Sequence, residues 1–344
     1  MKILAPISKV YEVEDVIKAG ADEIYCGVYT KEWRRIYTSL ASPNRRAGRS
    51  ANLDDFKELC RVVTLAHSHK TPVSFTINEF YSEEQYDLVM DNIRQAVDAG
   101  VDALTVVDIN VLLMVKERQY NTKIHMGTGG TTFNSQTVAF YKDLGVSRVI
   151  LDRQLSIEEI GLIASKSGDT ELAVFALNQK CHNIDGFCTF QHGLMAAKYP
   201  FLSNSLNIKP LKRLLDLYPG DATWMEAAIF RKALGCCLDY EISEGELESS
   251  PEKRAELLRF FYVGNFLDRC GACALYDLDK FKIGFVKIVG REDLTAKKIR
   301  DIKFIRGSKD LLKENPEKPV FIEKVKALYK DIYSGNCNSS FCYY

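Results

Sequence analysis

A short motif that recurs along the chain constrains the fold more than any other feature. In each copy an amphipathic stretch ends near a glycine, and a polar residue and a short β-rich run follow. The glycines are Gly20, Gly100 and Gly145. A glycine after a helix supplies the left-handed cap, and a buried parallel strand reads as a short apolar run. The motif therefore predicts helices that alternate with parallel strands.

Other short apolar runs continue the same alternation. Together they predict eight strands, at residues 2–5, 23–27, 73–78, 103–107, 123–126, 148–151, 172–177 and 284–288. Helix starts are predicted at Asn52, Ser82 and Ser156, because each is a capping residue type with acidic residues in the following turn. Eight strand–helix units favour a (β/α)8 TIM-type barrel with its site at the C-terminal strand ends. An open doubly wound sheet is the alternative, although the sequence contains no glycine-rich nucleotide-binding motif.

Two regions interrupt the alternation. A long basic segment, residues 30–50, follows the second strand, and a cysteine-rich insertion, residues 178–275, precedes the last strand. We therefore expect a barrel over residues 1–300 that carries this insertion. A C-terminal helical extension is expected over residues 301–334, and a flexible cysteine-containing tail over residues 335–344.

Composition and charge exclude several classes of protein. Lysine plus arginine and aspartate plus glutamate each number 46, so the formal net charge is zero, and such a chain is not a general binder of polyanions. No run of about 18 apolar residues is present, and the first residues lack the apolar core of a signal peptide. We therefore expect a cytoplasmic protein without membrane insertion. Ten cysteines in that compartment indicate metal or redox chemistry, because disulfides are disfavoured there.

Six of the ten cysteines lie in the insertion. They are Cys181, Cys188, Cys236, Cys237, Cys270 and Cys273. Four thiolates suit an iron–sulfur cluster or a structural zinc site, and their spacing leaves both open. Cysteines that are simply buried as small apolar residues are the alternative. That alternative is favoured for Cys26, on a strand, and for Cys60, which we expect on the apolar face of a helix.

Polar residues follow several predicted strands, where a barrel carries its site. His125 opens a glycine-rich run, whose exposed N–H groups could bind an anion while the histidine positions or protonates a substrate. A histidine that merely caps a strand end is the alternative. Arg153 and Arg291 come just past the sixth and eighth strands, where arginine usually grips a carboxylate or phosphate. Asn78 and Asp108 occupy strand ends and are candidates for substrate binding.

The basic segment after the second strand is a further candidate for substrate binding. Arg45 and Arg46 lie in it, close to Arg34, Arg35 and Arg49. Such a cluster could hold an RNA strand, or a ligand that carries a carboxylate or phosphate. A solvated charged loop is the alternative.

Several motifs together resemble those of the collagenase-like peptidases, peptidase family U32. Residues 287–291 resemble the family's K-I-E-G-R, 19–27 its A-G-A-D-x-[VI]-Y-x-G, 125–134 its H-A-S-T-Q-x-N-x-x-N, and 151–160 its L-x-R-E-L-S-x-x-E-I. Cys181 and Cys188, with Gly186 between them, match its C-x6-C. Val289 stands where the family has glutamate, so the chain resembles a divergent member.

The resemblance implies a barrel and a four-cysteine [4Fe–4S] site, with zinc as the alternative metal. The ligands would be Cys181, Cys188, Cys237 and Cys273, with Cys236 or Cys270 as replacements for the third or fourth. The residues that would orient the substrate are His125, Arg153 and Arg291. Some members of the family act in oxygen-independent hydroxylation of a quinone precursor or of tRNA and ribosomal RNA bases.

Three hypotheses follow from the sequence. The first is an iron–sulfur protein in oxygen-independent hydroxylation, or a related redox modification, of RNA or a small molecule. The second is a peptidase, with Cys181 beside His125 or His192, or a metal-bound water, as the attacking group. The third is a non-catalytic subunit that binds a protein partner in a modification complex. In the tail, Cys337 and Cys342 could reach the site as ligands or as a source of reducing equivalents.

Overall fold

Eight parallel strands close into a barrel in the computed structural model, which describes residues 1–37, 42–46, 48–181, 184–188 and 269–344. The strands are β1 (Lys2–Pro6), β2 (Glu23–Cys26), β3 (Val73–Thr76), β4 (Ala103–Val106), β5 (Lys123–Met126), β6 (Arg148–Ile150), β7 (Glu171–Leu177) and β8 (Phe285–Ile288). Each strand pairs with the next, and β8 pairs with β1. This closure confirms the predicted TIM-type barrel and excludes the open doubly wound sheet.

The glycines of the recurring motif explain why the strands were predictable. Gly20, Gly100 and Gly145 have φ angles of 116°, 86° and 90°, in a region that residues with a Cβ enter only with strain. Each glycine ends a helix and turns the chain into β2, β4 or β6. The predicted strand bounds agree with the observed bounds to within two residues.

The helices lie outside the barrel and alternate with the strands. Those of the described chain are α1 (Val13–Lys18), α2 (Lys31–Tyr37), α3 (Phe56–Ser68), α4 (Tyr86–Asp98), α5 (Ile109–Glu117), α6 (Ser135–Asp143), α7 (Ile157–Lys166), α8 (Leu275–Lys280), α9 (Thr295–Leu311) and α10 (Lys318–Tyr333). Among these described helices, none is both long and apolar enough to cross a bilayer.

Local hydrogen bonds fix the helix starts. Ser156 begins α7 as predicted, with a reciprocal capping box to Glu159. The start predicted at Asn52 was wrong, because Asp55 is the residue that accepts the backbone N–H of Glu58 and caps α3. The basic segment is also not all loop, since it contains α2, in which Trp33 is buried.

An ion pair fills the N-terminal end of the barrel. Arg148 Nη1 and Nη2 donate to the two carboxylate oxygens of Glu23 at 2.7 and 2.9 Å, and the guanidinium lies 3.5 Å from the centroid of the Phe285 ring. Both charged side chains are buried. Because this end is packed, a ligand of the barrel has to enter from the C-terminal end of the strands.

The domain boundaries predicted from the sequence do not all coincide with the ends of helices. Residues 189–268, most of the predicted insertion, lie outside the described residues. The boundary predicted at residue 300 falls within α9, a helix that packs against β1 and α1 and so belongs to the barrel. α10, which packs on α9, lies beyond the strand–helix alternation.

The tail was predicted to be flexible, and the structure places it against the barrel. Cys270 N donates to Phe341 O at 2.9 Å, and Tyr343 N donates to Cys270 O at 2.8 Å. Tyr343 is fully buried. The composition of the tail did not reveal this, because its partners lie some 70 residues earlier in the chain.

Candidate functional site

The C-terminal end of the barrel, which we call the mouth, brings together most of the residues that were predicted to form a site. Arg153 follows β6, the loop with Cys181 and Cys188 follows β7, and Arg291 follows β8. The basic segment after β2 also reaches the mouth, through residues 42–46. The site can therefore be built from the contacts of these loops.

Arg153 and Asp185 form the centre of the mouth. Arg153 Nε and Nη2 lie 3.3 and 3.1 Å from Asp185 Oδ2, and Nη1 donates to Gln179 O at 2.7 Å. The Thr128 hydroxyl also donates to Asp185 Oδ2. The Arg153 guanidinium lies over the Phe175 ring, 4.3 Å from the centroid. Arg153 thus holds the cysteine-bearing loop against the end of the barrel.

The two arginines predicted for substrate binding hold the same loop. Arg45 Nη1 donates to Asp185 O at 2.5 Å, and Arg46 Nη2 donates to Gln179 Oε1 at 3.0 Å. Arg45 is buried and has a positive φ of 58°. These contacts give both residues a positioning role in the structure, alongside the predicted role in binding substrate.

Arg291 connects the loop after β2 to the barrel. Its Nη2 donates to Asn44 O at 2.9 Å, and Nη1 donates to Thr76 Oγ1 at 3.0 Å and Asn52 Oδ1 at 3.3 Å. Burial lowers the pKa of Arg291 to about 10. A side chain at Gly27 would collide with Arg291 and Asn44, which explains the glycine there. The substrate contact predicted for Arg291 would have to form beside these internal contacts.

Lys287 is a candidate residue that the sequence analysis did not single out. It is buried, and its amine lies 4.3 Å from the centroid of the Tyr25 ring and 6.0 Å from that of Phe175. Burial lowers its pKa to about 7, and the charges of Arg153 and Arg291 act in the same direction. The alternation of side chains along β8 could have revealed it. Val286 and Ile288 lie on one face of the strand, so Lys287 lies on the opposite face together with Phe285.

Asp152 is a second titratable group that the sequence analysis missed. Burial raises its pKa to about 7, and the charge of Asp185 acts in the same direction. Its Oδ1 accepts the backbone N–H of Arg153 at 3.2 Å, while Oδ2 has no hydrogen-bond partner within the described residues. A carboxyl group with this pKa can both accept and donate a proton near neutral pH.

His125 lies on β5 and is buried among positive charges. Burial lowers its pKa well below the ordinary value, and Arg148, Lys123 and Lys287 lower it further. The imidazole is therefore neutral, and its Nε2 has no hydrogen-bond partner in the described part of the chain. The pairing with Cys181 through Nε2 that a nucleophile would need is not present there, and His192 lies outside the described residues.

The two strand-end candidates differ in their contacts. Asp108 caps α5 by accepting the N–H groups of Asn110 and Val111 at 2.8 and 3.1 Å, and Tyr81 N also donates to it at 3.2 Å. Its carboxylate thus has a structural role. Asn78 Oδ1 is buried without a hydrogen-bond partner among the described residues. Of the two residues, Asn78 is therefore the one with an unpaired side-chain oxygen.

The cysteines fall into separate environments. Cys26 is buried, as predicted, whereas Cys60 is exposed on α3 and the prediction of an apolar face was wrong. Cys181 is partly exposed, close enough to Arg153 and Tyr343 to affect their pKa values. Cys188 is also partly exposed and ends the short helix Asp185–Phe187.

The structure describes only some of the remaining predicted ligands. Cys236 and Cys237 lie outside the described residues. Cys273 has the two tail cysteines, Cys337 and Cys342, as electrostatic neighbours. Among the described residues, no three histidine, cysteine or acidic side chains are already arranged at the spacing of metal ligands.

The end of the tail covers part of the mouth. The Tyr343 ring stacks on Phe175 with centroids 6.0 Å apart and planes inclined by 8°. The Tyr344 hydroxyl donates to Phe175 O at 2.8 Å, and the Lys180 amine donates to Tyr343 O. The tail therefore contributes two aromatic side chains to the site.

Comparison with known proteins places the chain in a family. The sequence model of peptidase family U32 matches residues 8–198, more than half of the chain. The chain is 26% identical over 188 residues to tRNA hydroxylation protein P of Helicobacter pylori. It is 22% identical over 192 residues to the 23S rRNA 5-hydroxycytidine C2501 synthase of Escherichia coli, and 23% identical over 197 residues to a collagenase of Porphyromonas gingivalis.

These matches cover part of each protein. They include 55%, 56% and 54% of this chain, but only 42%, 26% and 44% of the three relatives, so the chain matches less than half the length of each. The solved structure of a U32 peptidase superposes with a TM-score of 0.39 and 16% identity, covering 51% of this chain and 69% of that one. The family assignment depends on the sequence match over residues 8–198, and on that basis the chain belongs to peptidase family U32.

Proposed function

We propose that the protein binds a [4Fe–4S] cluster at the barrel mouth and acts in oxygen-independent hydroxylation of an RNA base. The observation that carries the proposal is the loop after β7. Its two thiols, Cys181 and Cys188, lie on either side of Asp185, which Arg153 holds at 3.1 Å. The names of two relatives, a tRNA hydroxylation protein and an rRNA hydroxycytidine synthase, support RNA as the substrate.

The chemistry of the loop fits such a cluster. Cys181 is partly exposed and has the Arg153 guanidinium as an electrostatic partner, and a neighbouring cation favours the thiolate that binds iron. We assign the other two ligands to Cys237, which lies outside the described residues, and to Cys273, with Cys236 or Cys270 as replacements for the third or fourth. A cluster held there would supply one-electron transfer.

The chain's own side chains would handle the substrate. Lys287 and Asp152 both have pKa values near 7, so each can hold or release a proton at the mouth under neutral conditions. His125 is neutral and keeps Nε2 without a partner in the described residues, so it can position a polar group of a base.

The basic segment gives the RNA backbone a place to bind. Arg45 and Arg46 contact the cysteine-bearing loop, whereas Lys31 and Arg35 of α2, in the same segment after β2, are exposed. Exposed lysine and arginine side chains bind phosphates without regard to sequence. Binding at α2 would bring a flipped-out base towards the mouth, as enzymes that modify bases require.

Two measurements test the proposal. Protein purified without oxygen should contain about four iron and four sulfide per chain, and Cys181→Ala should lose them while the exposed Cys60→Ala retains them. In cells that lack the gene, mass spectrometry of digested RNA should show a nucleoside that has lost one oxygen atom. The wild-type gene and Cys60→Ala should restore it, and Cys181→Ala should not. Protein without iron, or an unchanged set of nucleosides, would contradict the proposal.

A further inference from the structure

The tail places one of its tyrosines among the side chains of the barrel strands. Tyr343 belongs to a buried cluster that includes Leu4, Tyr25, Phe175 and Phe285. These four residues lie on β1, β2, β7 and β8. Their side chains come from opposite parts of the barrel wall and meet only in its interior. The Tyr343 ring therefore closes the barrel from the mouth, although its own residue is not part of any strand.

Contacts on both sides of Tyr343 fix the position of its ring. Its backbone N–H donates to Cys270 O at 2.8 Å, and its backbone carbonyl accepts the Lys180 amine. The next residue, Tyr344, donates its hydroxyl to Phe175 O at 2.8 Å. None of these three hydrogen bonds uses the Tyr343 hydroxyl. The ring is thus held in place by contacts that leave its polar end available.

The Tyr343 hydroxyl is buried and unpaired. The residue is fully buried, and the hydroxyl has no hydrogen-bond partner within the described residues. Most buried hydroxyl groups have a partner, because leaving one without it is unfavourable. The neighbouring hydroxyl of Tyr344 follows that rule. The position of Tyr343 therefore suits a hydroxyl that is kept for a ligand.

Asp152, just past β6, supplies a second unpaired oxygen beside this hydroxyl. The residue is buried, and its Oδ2 has no hydrogen-bond partner in the part of the chain that the structure describes. The titratable groups that act on the Tyr343 hydroxyl are, in order of strength, Arg153, Asp185, Cys181 and Asp152. The two unpaired oxygens are close enough to interact but are not bonded to each other, so one ligand group can lie between them.

The two oxygens have complementary hydrogen-bonding roles. Burial raises the pKa of Tyr343 above its usual value, so its hydroxyl stays protonated at neutral pH and can donate. The Asp152 carboxylate can only accept. A donor beside an acceptor matches the Watson–Crick edge of a nucleobase, on which an acceptor atom lies next to an N–H group. Proteins that bind unpaired bases recognise this edge by hydrogen bonds.

We propose that Tyr343 and Asp152 together bind the Watson–Crick edge of the substrate base. The Tyr343 hydroxyl donates to the acceptor atom of the edge, and Asp152 Oδ2 accepts its N–H. The inference rests on the proposed function for the class of substrate, and it makes the tail part of the substrate site. Entry of a base requires an outward movement of the tail, in which the preceding residue, Cys342, is already exposed.

Removing the hydroxyl while keeping the ring tests the inference. In cells that lack the gene, Tyr343→Phe at limiting expression should restore about tenfold less of the modified nucleoside than wild type, the effect of one lost hydrogen bond to the substrate. Its iron content and melting temperature should match those of wild type. The control is Tyr120→Phe, since Tyr120 precedes β5 at the opposite end of the barrel, and it should restore the wild-type amount.

A second readout does not depend on turnover. With 3-fluorotyrosine in place of Tyr343 alone, the fluorine NMR signal should shift when single-stranded oligoribonucleotides that contain all four bases are added. The same oligoribonucleotides annealed to their complements should cause no shift, because their Watson–Crick edges are occupied. Asp152→Ala should reduce the shift. A 3-fluorotyrosine in place of Tyr120 should not respond to either form of RNA.

The outcomes separate this inference from the proposed function. A Tyr343→Phe variant that restores as much nucleoside as wild type would overturn the inference and leave the proposed function intact. Loss of iron or of melting temperature in that variant would make the hydroxyl a structural group and would also overturn it. If the wild-type gene restores no nucleoside, the proposed function fails and the fluorine signal decides: a shift that needs single-stranded RNA supports the contact, and an unchanged signal refutes it.

Discussion

Arg153 and Asp185 form a forked contact in which Nε and Nη2 lie 3.3 and 3.1 Å from the same carboxylate oxygen. Both side chains are almost fully buried, with exposures of 11% and 9%. Asp185 lies between Cys181 and Cys188, so the contact connects the end of β6 to the loop that carries the thiols. The geometry of those thiols therefore depends on this pair.

Asp185→Asn should destabilise the protein and loosen the cysteine-bearing loop. The change leaves Arg153 buried without a carboxylate, and removing one partner of a buried pair costs about 3–5 kcal/mol. We expect a lower free energy of unfolding in urea, together with faster loss of iron to a chelator in anaerobic protein.

The matched control is Asp169→Asn, in the ion pair of Asp169 with Lys142. Those side chains are 84% and 48% exposed, and exposed pairs contribute about 0–1 kcal/mol. Equal losses of stability in the two variants would show that the Arg153–Asp185 contact has no special role.

Asp152 should make stability fall as the pH rises from about 4 to about 7. Its pKa is raised from 3.8 to about 7 by burial and by Asp185, against the attraction of Arg153 and Arg45. Between those values the folded protein holds a proton that the unfolded chain has lost. The free energy of unfolding therefore falls as the pH rises towards the folded pKa. The penalty is complete above pH 7 and amounts to no more than about 4 kcal/mol.

Asp152→Asn should remove this penalty. Calorimetry of wild type and variant at pH 5 and pH 8 would measure it: the variant should gain melting temperature relative to wild type at pH 8 and little at pH 5. A difference that does not change with pH would show that Asp152 titrates normally. Asp169→Asn, at an exposed position, serves again as the control.

Lys287→Met should stabilise the protein and abolish its activity. The pKa of Lys287 is lowered to about 7 by burial, so below pH 7 the folded state carries a charge at a cost of up to about 5 kcal/mol. Because the folded pKa lies below the unfolded one, this cost declines as the pH rises from 7 to about 10.5. Methionine fills a similar volume without a charge.

The measurement is urea unfolding at pH 6 and pH 9, alongside the nucleoside assay. The variant's gain in stability should be larger at pH 6, and the modified nucleoside should be absent. Lys57→Met, at an exposed position of α3, should alter neither. Loss of stability in Lys287→Met with activity retained would show that the amine is a structural group.

The sequence predicted the barrel because the information for it is local. Each strand is a short apolar run, a glycine cap precedes β2, β4 and β6, and these patterns involve only neighbours in the chain. It also predicted that Arg153 and Arg291 lie at the mouth, since both follow strands. It could not predict their partners, because Arg291 meets Asn44, 247 positions earlier, and the Lys180 side chain meets Tyr343, 163 positions later.

The position of the tail gives the last prediction. Tyr343 is fully buried and stacks on Phe175, so Tyr343→Ala should cost about 3–5 kcal/mol, as other truncations of buried aromatic residues do. The Tyr343 hydroxyl, however, has no hydrogen-bond partner within the described residues, and an unpaired buried hydroxyl is unfavourable.

Tyr343→Phe should therefore leave stability unchanged or raise it, while Tyr343→Ala lowers it. Urea unfolding of the two variants, with Tyr11→Ala at a position that is 71% exposed as the control, separates the ring from its hydroxyl. Limited proteolysis should cut Tyr343→Ala in the tail and spare Tyr343→Phe, because only the ring packs against the barrel. If Tyr343→Ala were as stable and as protease-resistant as wild type, the tail would not be held by this residue, and the covering of the mouth would require another anchor.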